Sequence, residues 1–99
     1  MTRLSNYIND IKNLCKKHKV AKLYVLGSIL TSQFGPESDI DFIVNFDKVD
    51  LSNYADNYYD LKFSLENILQ RPIDLLEEKA IKNPYFRQAV NAQRQLLYG

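Results

Sequence analysis

The chain has 99 residues, a length typical of one domain, so residues 1–99 are predicted to fold as a single unit. Its 13 basic and 12 acidic residues leave a net charge of +1, which argues against a dedicated nucleic-acid binder and against a membrane-surface protein. The single cysteine, Cys15, excludes an internal disulfide framework and is typical of a reducing compartment. No apolar run reaches signal-peptide or membrane-spanning length, so we expect a cytoplasmic protein.

The first half of the chain is predicted to form one helix followed by two strands. Apolar residues at helical spacing predict a helix over residues 5–18, with Cys15 in its apolar stripe and His18 on the surface at its end. Residues 22–26, KLYVL, predict a short strand. Residues 40–46, IDFIVNF, carry apolar side chains on both faces, which predicts a strand covered on both sides.

The second half is predicted to form a helix, a strand and a closing helix. Residues 52–70 carry an apolar helical stripe that ends before the Arg-Pro pair at 71–72. Residues 73–77, IDLLE, predict a third strand, and Asn83 followed by proline predicts the start of a last helix over 84–97. The order α-β-β-α-β-α indicates an α/β (α+β) fold in which helices cover a small mixed sheet.

Two aspartates stand where the second strand begins. Side chains two residues apart in a strand point to the same face, with Cα atoms about 6.5–7 Å apart, so Asp39 and Asp41 should repel each other. A divalent cation such as Mg²⁺ offsets that repulsion directly. Asp74 interrupts the apolar third strand, and it joins the pair if the two strands are neighbours. Three converging carboxylates can hold two metal ions roughly 3.5–4 Å apart, as in phosphoryl-transfer enzymes.

A structural role for the aspartates is the alternative. Asp-x-Asp is common by chance, and either residue could cap a turn after Pro36, assisted by Ser38. The pair Gly27-Ser28, eleven residues before the sequence Ser-Asp-Ile-Asp, favours a site. Glycine allows close approach of a ligand to the backbone, and serine with neighbouring amides can hold a phosphate.

The combination of Gly27-Ser28, Ser-Asp-Ile-Asp at 38–41 and Ile-Asp-Leu at 73–75 resembles the polymerase-β-type nucleotidyltransferases. The short length is similar to that of the minimal nucleotidyltransferases of prokaryotes. The similarity extends over most of the chain, and it implies a single polymerase-β-like nucleotidyltransferase domain over residues 1–99.

The resemblance implies roles for six residues. The residues that contact the nucleotide are Gly27, Ser28 and Ser38. The catalytic residues, which also bind two Mg²⁺ ions, are Asp39, Asp41 and Asp74. ATP is the implied substrate, and Asp74 would also help to deprotonate the acceptor hydroxyl.

The family pattern commonly continues Gly-Ser-x-Ala-Arg-Gly, and here the last three positions are Leu30, Thr31 and Ser32. The arginine, and with it a cationic contact near the nucleotide, is therefore missing at Thr31. Arg71 and Lys48 are the candidates to replace it.

Minimal nucleotidyltransferases are often encoded beside a helical HEPN-type toxin. The resemblance therefore implies an antitoxin that transfers AMP to a tyrosine of such a partner. The missing arginine supports an alternative, in which a weak or inactive module neutralises its partner by binding alone. Transfer to an antibiotic or to RNA is disfavoured by the short length and the near-neutral charge.

Overall fold

A computed structural model describes residues 4–26 and 39–99, and in these ranges three α-helices flank a four-stranded sheet. In chain order the elements are α1 (Ile8–Lys17), β1 (Val20–Leu26), β2 (Ile40–Phe46), α2 (Leu51–Leu69), β3 (Ile73–Glu77), α3 (Pro84–Gln93) and β4 (Gln95–Tyr98). The predicted α/β class is confirmed. Within the described ranges no helix is both long enough and apolar enough to cross a bilayer.

The sheet has the strand order β3-β2-β1-β4 and mixed strand directions. β1 runs antiparallel to β2 and to β4, whereas β2 and β3 are parallel. Parallel neighbours need a crossover connection, and α2 supplies it between β2 and β3. The parallel pair places the beginnings of β2 and β3 at the same end of the sheet, so residues from both strands meet there.

One face of the sheet, here called the closed face, packs against α1 and α2. Phe42 and Val44 of β2 point to this face, and both are almost fully buried. Leu61 and Leu65 of α2 and Ile11 of α1 cover them and are completely buried. Most of the apolar core therefore lies on the closed face.

The opposite face, here called the site face, has a smaller apolar cluster. Ile43 of β2 is completely buried there against Ile81 and Val90, the latter from α3. Partly buried Tyr24 and Leu76 extend the cluster along the two neighbouring strands. Because Phe42 and Ile43 are both buried on opposite faces, the prediction that β2 is covered on both sides is confirmed.

Two helix ends carry the local signals that were predicted from the sequence. α2 ends before Gln70, which adopts a left-handed conformation (φ 55°) just ahead of the Arg-Pro pair. α3 begins after Asn83, whose side-chain oxygen accepts hydrogen bonds from the backbone N–H groups of Tyr85 (2.9 Å) and Phe86 (3.1 Å). Pro84 occupies the first turn, where no N–H donor is needed.

The prediction of a single closing helix over 84–97 is wrong beyond Gln93. The backbone becomes extended at Arg94, and β4 pairs with β1, with Leu96 opposite Tyr24. Pairing with β1 satisfies backbone groups that would otherwise be left at a sheet edge, and it buries Leu97 in the core. The element order is therefore α-β-β-α-β-α-β.

The prediction that His18 lies on the surface is also wrong, since only 2% of the residue is exposed. Its Nε2 atom lies 2.6 Å from Oδ2 of Asp60, and its Nδ1 atom lies 2.7 Å from the carbonyl oxygen of Leu14. Asn57 donates a hydrogen bond to the His18 carbonyl. The hydrogen bond from His18 lowers the pKa of the Asp60 carboxyl. The hydrogen bonds of His18 therefore connect the end of α1 to the middle of α2.

Cys15 lies on the apolar stripe of α1 and is completely buried, as predicted. Burial raises the pKa of its thiol to about 12. Such a thiol is neutral at physiological pH and packs as a small apolar side chain.

Candidate active site

Two carboxylates lie side by side where β2 and β3 begin. In the parallel pairing Asp41 of β2 is the register partner of Asp74 of β3. Neighbouring strands are about 4.8 Å apart and registered side chains point to the same face, so the two carboxylates are adjacent. Asp41 alternates with the buried Phe42 and therefore lies on the site face with Ile43. The prediction that Asp74 lies beside Asp41 is confirmed.

The charges at this end of the sheet repel one another. Burial raises the pKa of the Asp41 carboxyl, and the negative charges of Asp74 and then Asp39 raise it further. Asp41 is half-buried, whereas Asp39 and Asp74 are exposed. We call Asp39, Asp41 and Asp74 the acidic row. A cation bound to these carboxylates would offset their mutual repulsion.

The acidic row has the chemistry of a hard-cation site, since all its donors are carboxylate oxygens. Among the described residues, however, no group of three or more His, Cys, Asp or Glu side chains is arranged to hold a metal ion. Mg²⁺ is usually held by one or two protein carboxylates, with waters and substrate phosphates completing the shell. The adjacent pair of Asp41 and Asp74 fits that requirement, and Asp39 lies close enough to act on Asp41 electrostatically.

The described chain stops at Leu26 and resumes at Asp39, and both points lie beside the acidic row. Leu26 is the register partner of Asp41 across the antiparallel pair. The predicted nucleotide-binding residues Gly27, Ser28 and Ser38 lie outside the described residues, as does Thr31. The chain leaves the described part at Leu26, the last residue of β1, and re-enters it at Asp39, immediately before β2.

Only one of the two candidates to replace the missing arginine lies near the acidic row. Arg71 precedes Asp74 by three residues, and the following Pro72 carbonyl accepts a hydrogen bond from Ile40 N–H at the start of β2. Lys48 follows the other end of β2, roughly 16 Å of strand from Asp41. Of the two candidates, Arg71 therefore lies at the same end of the sheet as the acidic row and Lys48 lies at the other end.

A polar network that no sequence motif indicates attaches α3 to the site face. Nη1 of Arg94 lies 3.0 Å from the Glu78 carboxylate and Nη1 of Arg87 lies 3.3 Å from it. Asn45 of β2 donates a hydrogen bond of 2.7 Å to the same carboxylate. Arg94 also lies over the ring of Tyr24, 4.1 Å from its centroid. These residues are distant in sequence, so no local pattern could have indicated their contact.

The site geometry agrees with a family assignment made from the sequence. The family model for polymerase beta nucleotidyltransferases matches residues 9–99. The chain belongs to the polymerase beta nucleotidyltransferase family. It is therefore a nucleotidyltransferase with the fold expected from that resemblance, and the acidic row is its candidate active site.

Sequence relatives support the same assignment. A Methanocaldococcus jannaschii protein provisionally named protein adenylyltransferase, MJ1379, is 31% identical in an alignment of 99 positions that covers 92% of this chain and 96% of the relative. A second protein from the same organism and with the same provisional name, MJ0128, is 29% identical over the same shares of both chains.

Solved structures of this nucleotidyltransferase fold include toxin-antitoxin complexes. A toxin-antitoxin structure with AMP-PNP matches 94% of this chain and 73% of its own, at 25% identity and a TM-score of 0.72. The toxin-antitoxin MntA-HepT matches 93% of this chain and 69% of its own, at 26% identity and a TM-score of 0.63.

Proposed function

We propose that the protein transfers AMP from ATP to a tyrosine hydroxyl of a HEPN-type toxin and thereby acts as an antitoxin. The observation that carries this proposal is the registered pair of Asp41 and Asp74 on the site face of a family nucleotidyltransferase. The similarity to proteins named adenylyltransferases supports AMP as the transferred group. The similarity to toxin-antitoxin structures, one of them with AMP-PNP, supports the partner and the nucleotide.

In the proposed reaction the acceptor oxygen bonds to the α-phosphorus of ATP as the bond to pyrophosphate breaks. Asp39 and Asp41 would hold two Mg²⁺ ions, and Asp74 would hold one of them. Bound Mg²⁺ supplies charge neutralisation at the phosphates and activation of the attacking oxygen. Asp74 would accept the proton that leaves the acceptor hydroxyl, and its exposure and its position next to Asp41 support this role.

We also propose that residues 1–99 act as one nucleotidyltransferase domain and that Gly27, Ser28 and Ser38 contact the nucleotide phosphates. Their attachment beside Asp41, through Leu26 on one side and Asp39 on the other, supports this assignment. In this arrangement the phosphates lie on the β1 side of the acidic row.

The alternative is a module that neutralises its partner by binding alone. The observation that favours it is Thr31 in place of the family arginine. Arg71, which lies at the acidic end of the sheet, is the residue that would restore a positive charge there.

Label transfer separates the two functions. The purified chain is mixed with α-³²P-labelled ATP, Mg²⁺ and a HEPN-type protein from the same organism, and mass spectrometry identifies the labelled residue. We expect label on tyrosine and a loss of about 10²–10³-fold or more in Asp41→Asn, as for removal of one transition-state contact. Asp47→Asn is the matched control, because this exposed carboxylate lies beyond the opposite end of β2. Neutralised toxin without label would establish the binding-only alternative.

A further inference from the structure

An open pocket lies on the site face at the β3 edge, next to the acidic row. It has a volume of about 540 Å³, and its apolar walls are Leu76, Ile81 and Phe86. Glu77, Lys82 and Asn83 contribute polar groups to its lining. This volume is within the range of about 300–1,000 Å³ that is typical of small-ligand sites. Nothing in the proposed handling of phosphates and metal uses this pocket.

The pocket lies close to Asp41 and Asp74, because its wall residue Leu76 is the next residue after Asp74 on the same face of β3. Leu76 follows Asp74 by two residues in β3, so both side chains point to the site face, with Cα atoms about 6.5–7 Å apart. Leu76 is the register partner of Ile43, just as Asp74 is the partner of Asp41. A group seated against Leu76 can therefore extend a polar atom to Asp74.

The sheet order places this pocket on the side of Asp41 that is opposite to Leu26. Leu26, from which the Gly27-Ser28 segment continues, pairs with Asp41 from the β1 side. Asp74 and the pocket lie on the β3 side of Asp41. Phosphoryl transfer needs the attacking and leaving oxygens roughly in line on opposite sides of phosphorus. If pyrophosphate leaves toward β1, the nucleophile approaches from β3.

The chemistry of the pocket walls suits an aromatic side chain. Phe86 is 46% exposed and presents a ring that can pack edge-to-face against a second ring. Leu76 and Ile81 provide aliphatic surface, and Leu76 points to the same face of β3 as Asp74. A serine or threonine acceptor would leave this apolar surface uncovered.

We propose that the pocket of Leu76, Ile81 and Phe86 seats the ring of the acceptor tyrosine, with its hydroxyl directed at Asp74. This inference rests on the proposed function, and it names the residues that select the acceptor. The phenol oxygen bonds to the α-phosphorus, its proton passes to the Asp74 carboxylate, and pyrophosphate departs on the β1 side. Phe86 and Leu76 then determine acceptor affinity, and they leave nucleotide affinity unchanged.

Methyl NMR of the full chain tests where each ligand binds. The probes are Mg²⁺ with α,β-methylene ATP, which cannot release pyrophosphate, followed by N-acetyl-tyrosinamide or N-acetyl-serinamide. We expect the nucleotide to shift Leu26, and only the tyrosine amide to shift the methyl groups of Ile81. The methyl groups of Leu61, buried on the closed face, serve as the reference that neither ligand moves.

Three other outcomes of the NMR experiment would contradict either the acceptor pocket or the proposed function. A shift of the Ile81 methyl groups by nucleotide alone would make this a nucleobase pocket and refute the acceptor assignment. Nucleotide binding at Leu26 without any response of the pocket to the tyrosine amide would refute it equally. Absence of any nucleotide-induced shift would instead refute the proposed function itself.

Kinetics of matched variants test the role in catalysis. Phe86→Ala should raise the KM for N-acetyl-tyrosinamide about tenfold through the lost ring contact, with the Kd for Mg²⁺-ATP unchanged. Tyr85→Ala is the control, because this neighbouring aromatic is 81% exposed and does not line the pocket. Leu76→Phe, which fills the pocket, should also raise this KM. A change in ATP affinity in Phe86→Ala, or equal effects of Phe86→Ala and Tyr85→Ala on KM, would overturn the proposal.

Discussion

The two faces of the sheet differ in how they are stabilised and in what they are free to do. The closed face packs fully buried residues of β2 against α1 and α2, and Phe42, Leu61 and Leu65 are completely buried. The site face buries Ile43 in a small cluster and leaves Asp39 and Asp74 exposed. A single strand, β2, serves both faces through the alternation of its side chains. The comparison indicates that most stability comes from one face and that the chemistry is placed on the other.

The largest expected effect is the loss of stability when a buried apolar side chain is truncated, and it should differ between the two faces. Truncation of a buried Leu or Ile to Ala typically costs about 2–5 kcal/mol of unfolding free energy. We expect Leu65→Ala on the closed face to fall near the top of that range and Ile81→Ala on the site face near the bottom. Denaturant titration measures both values. A larger loss for Ile81→Ala would show that the site face carries the main core.

An intermediate effect is expected where α3 is attached to the site face. The carboxylate of Glu78 is hydrogen-bonded to Arg94 and Arg87, and Glu78→Gln should cost about 1–3 kcal/mol of unfolding free energy at pH 7. Burial raises the pKa of Glu78, but hydrogen bonds and charges from the two arginines outweigh that effect and lower it below its usual value of 4.5.

The sign of the pH dependence follows from that lowered pKa. A carboxyl whose pKa is lower in the folded than in the unfolded state stabilises the protein at any pH above its unfolded-state pKa. This contribution is lost as the pH falls through the folded-state pKa. Thermal melts should therefore show the difference between wild type and Glu78→Gln at pH 7 and a shrinking difference below about pH 4.5. A difference that is constant with pH would mean that the carboxylate charge does not hold α3 in place.

The smallest expected effect has the opposite sign and concerns the acidic row. The pKa of Asp41 is raised, so its ionised form destabilises the folded state at neutral pH. Asp41→Asn should therefore stabilise the metal-free protein by about 0.5–1 kcal/mol at pH 7, a typical size where an active site trades stability for function. The gain should disappear below about pH 3.8, where the carboxyl is protonated in both states.

Thermal melts in EDTA measure this gain, with Asp47→Asn as the control for removal of a charge elsewhere. Mg²⁺ with ATP should stabilise wild type by about 2.7 kcal/mol at a hundredfold excess over Kd, and Asp41→Asn by much less. A lower melting temperature of Asp41→Asn in EDTA would return Asp41 to a purely structural role.

Much of the fold and of the site could be predicted because the signals were local. The two-sided apolar pattern of IDFIVNF placed β2 in the middle of two layers. A charged residue, Asp74, in an otherwise apolar strand predicted a functional site, and the parallel register places Asp41 beside it. Asn83 before proline predicted the start of α3 through backbone groups within three residues.

The parts that could not be predicted depend on contacts between distant residues. The sequence QLLY, read alone, continues the helical spacing of α3, and only pairing with β1 makes it a strand. His18 is buried because Asp60, 42 positions away, is its hydrogen-bond partner. The roles predicted for Gly27, Ser28 and Ser38 stay predictions, since these residues lie outside the described part of the chain.

The buried thiol of Cys15 has a practical consequence for every measurement on this protein. It is the single cysteine of the sequence, and it lies between α1 and the sheet with a pKa of about 12. A maleimide or iodoacetamide reagent reacts with thiolate and can reach this one only when α1 separates from the core. The rate of alkylation therefore reports the opening of the closed face, without any introduced label, and a nucleotide or partner that stabilises the fold should slow it.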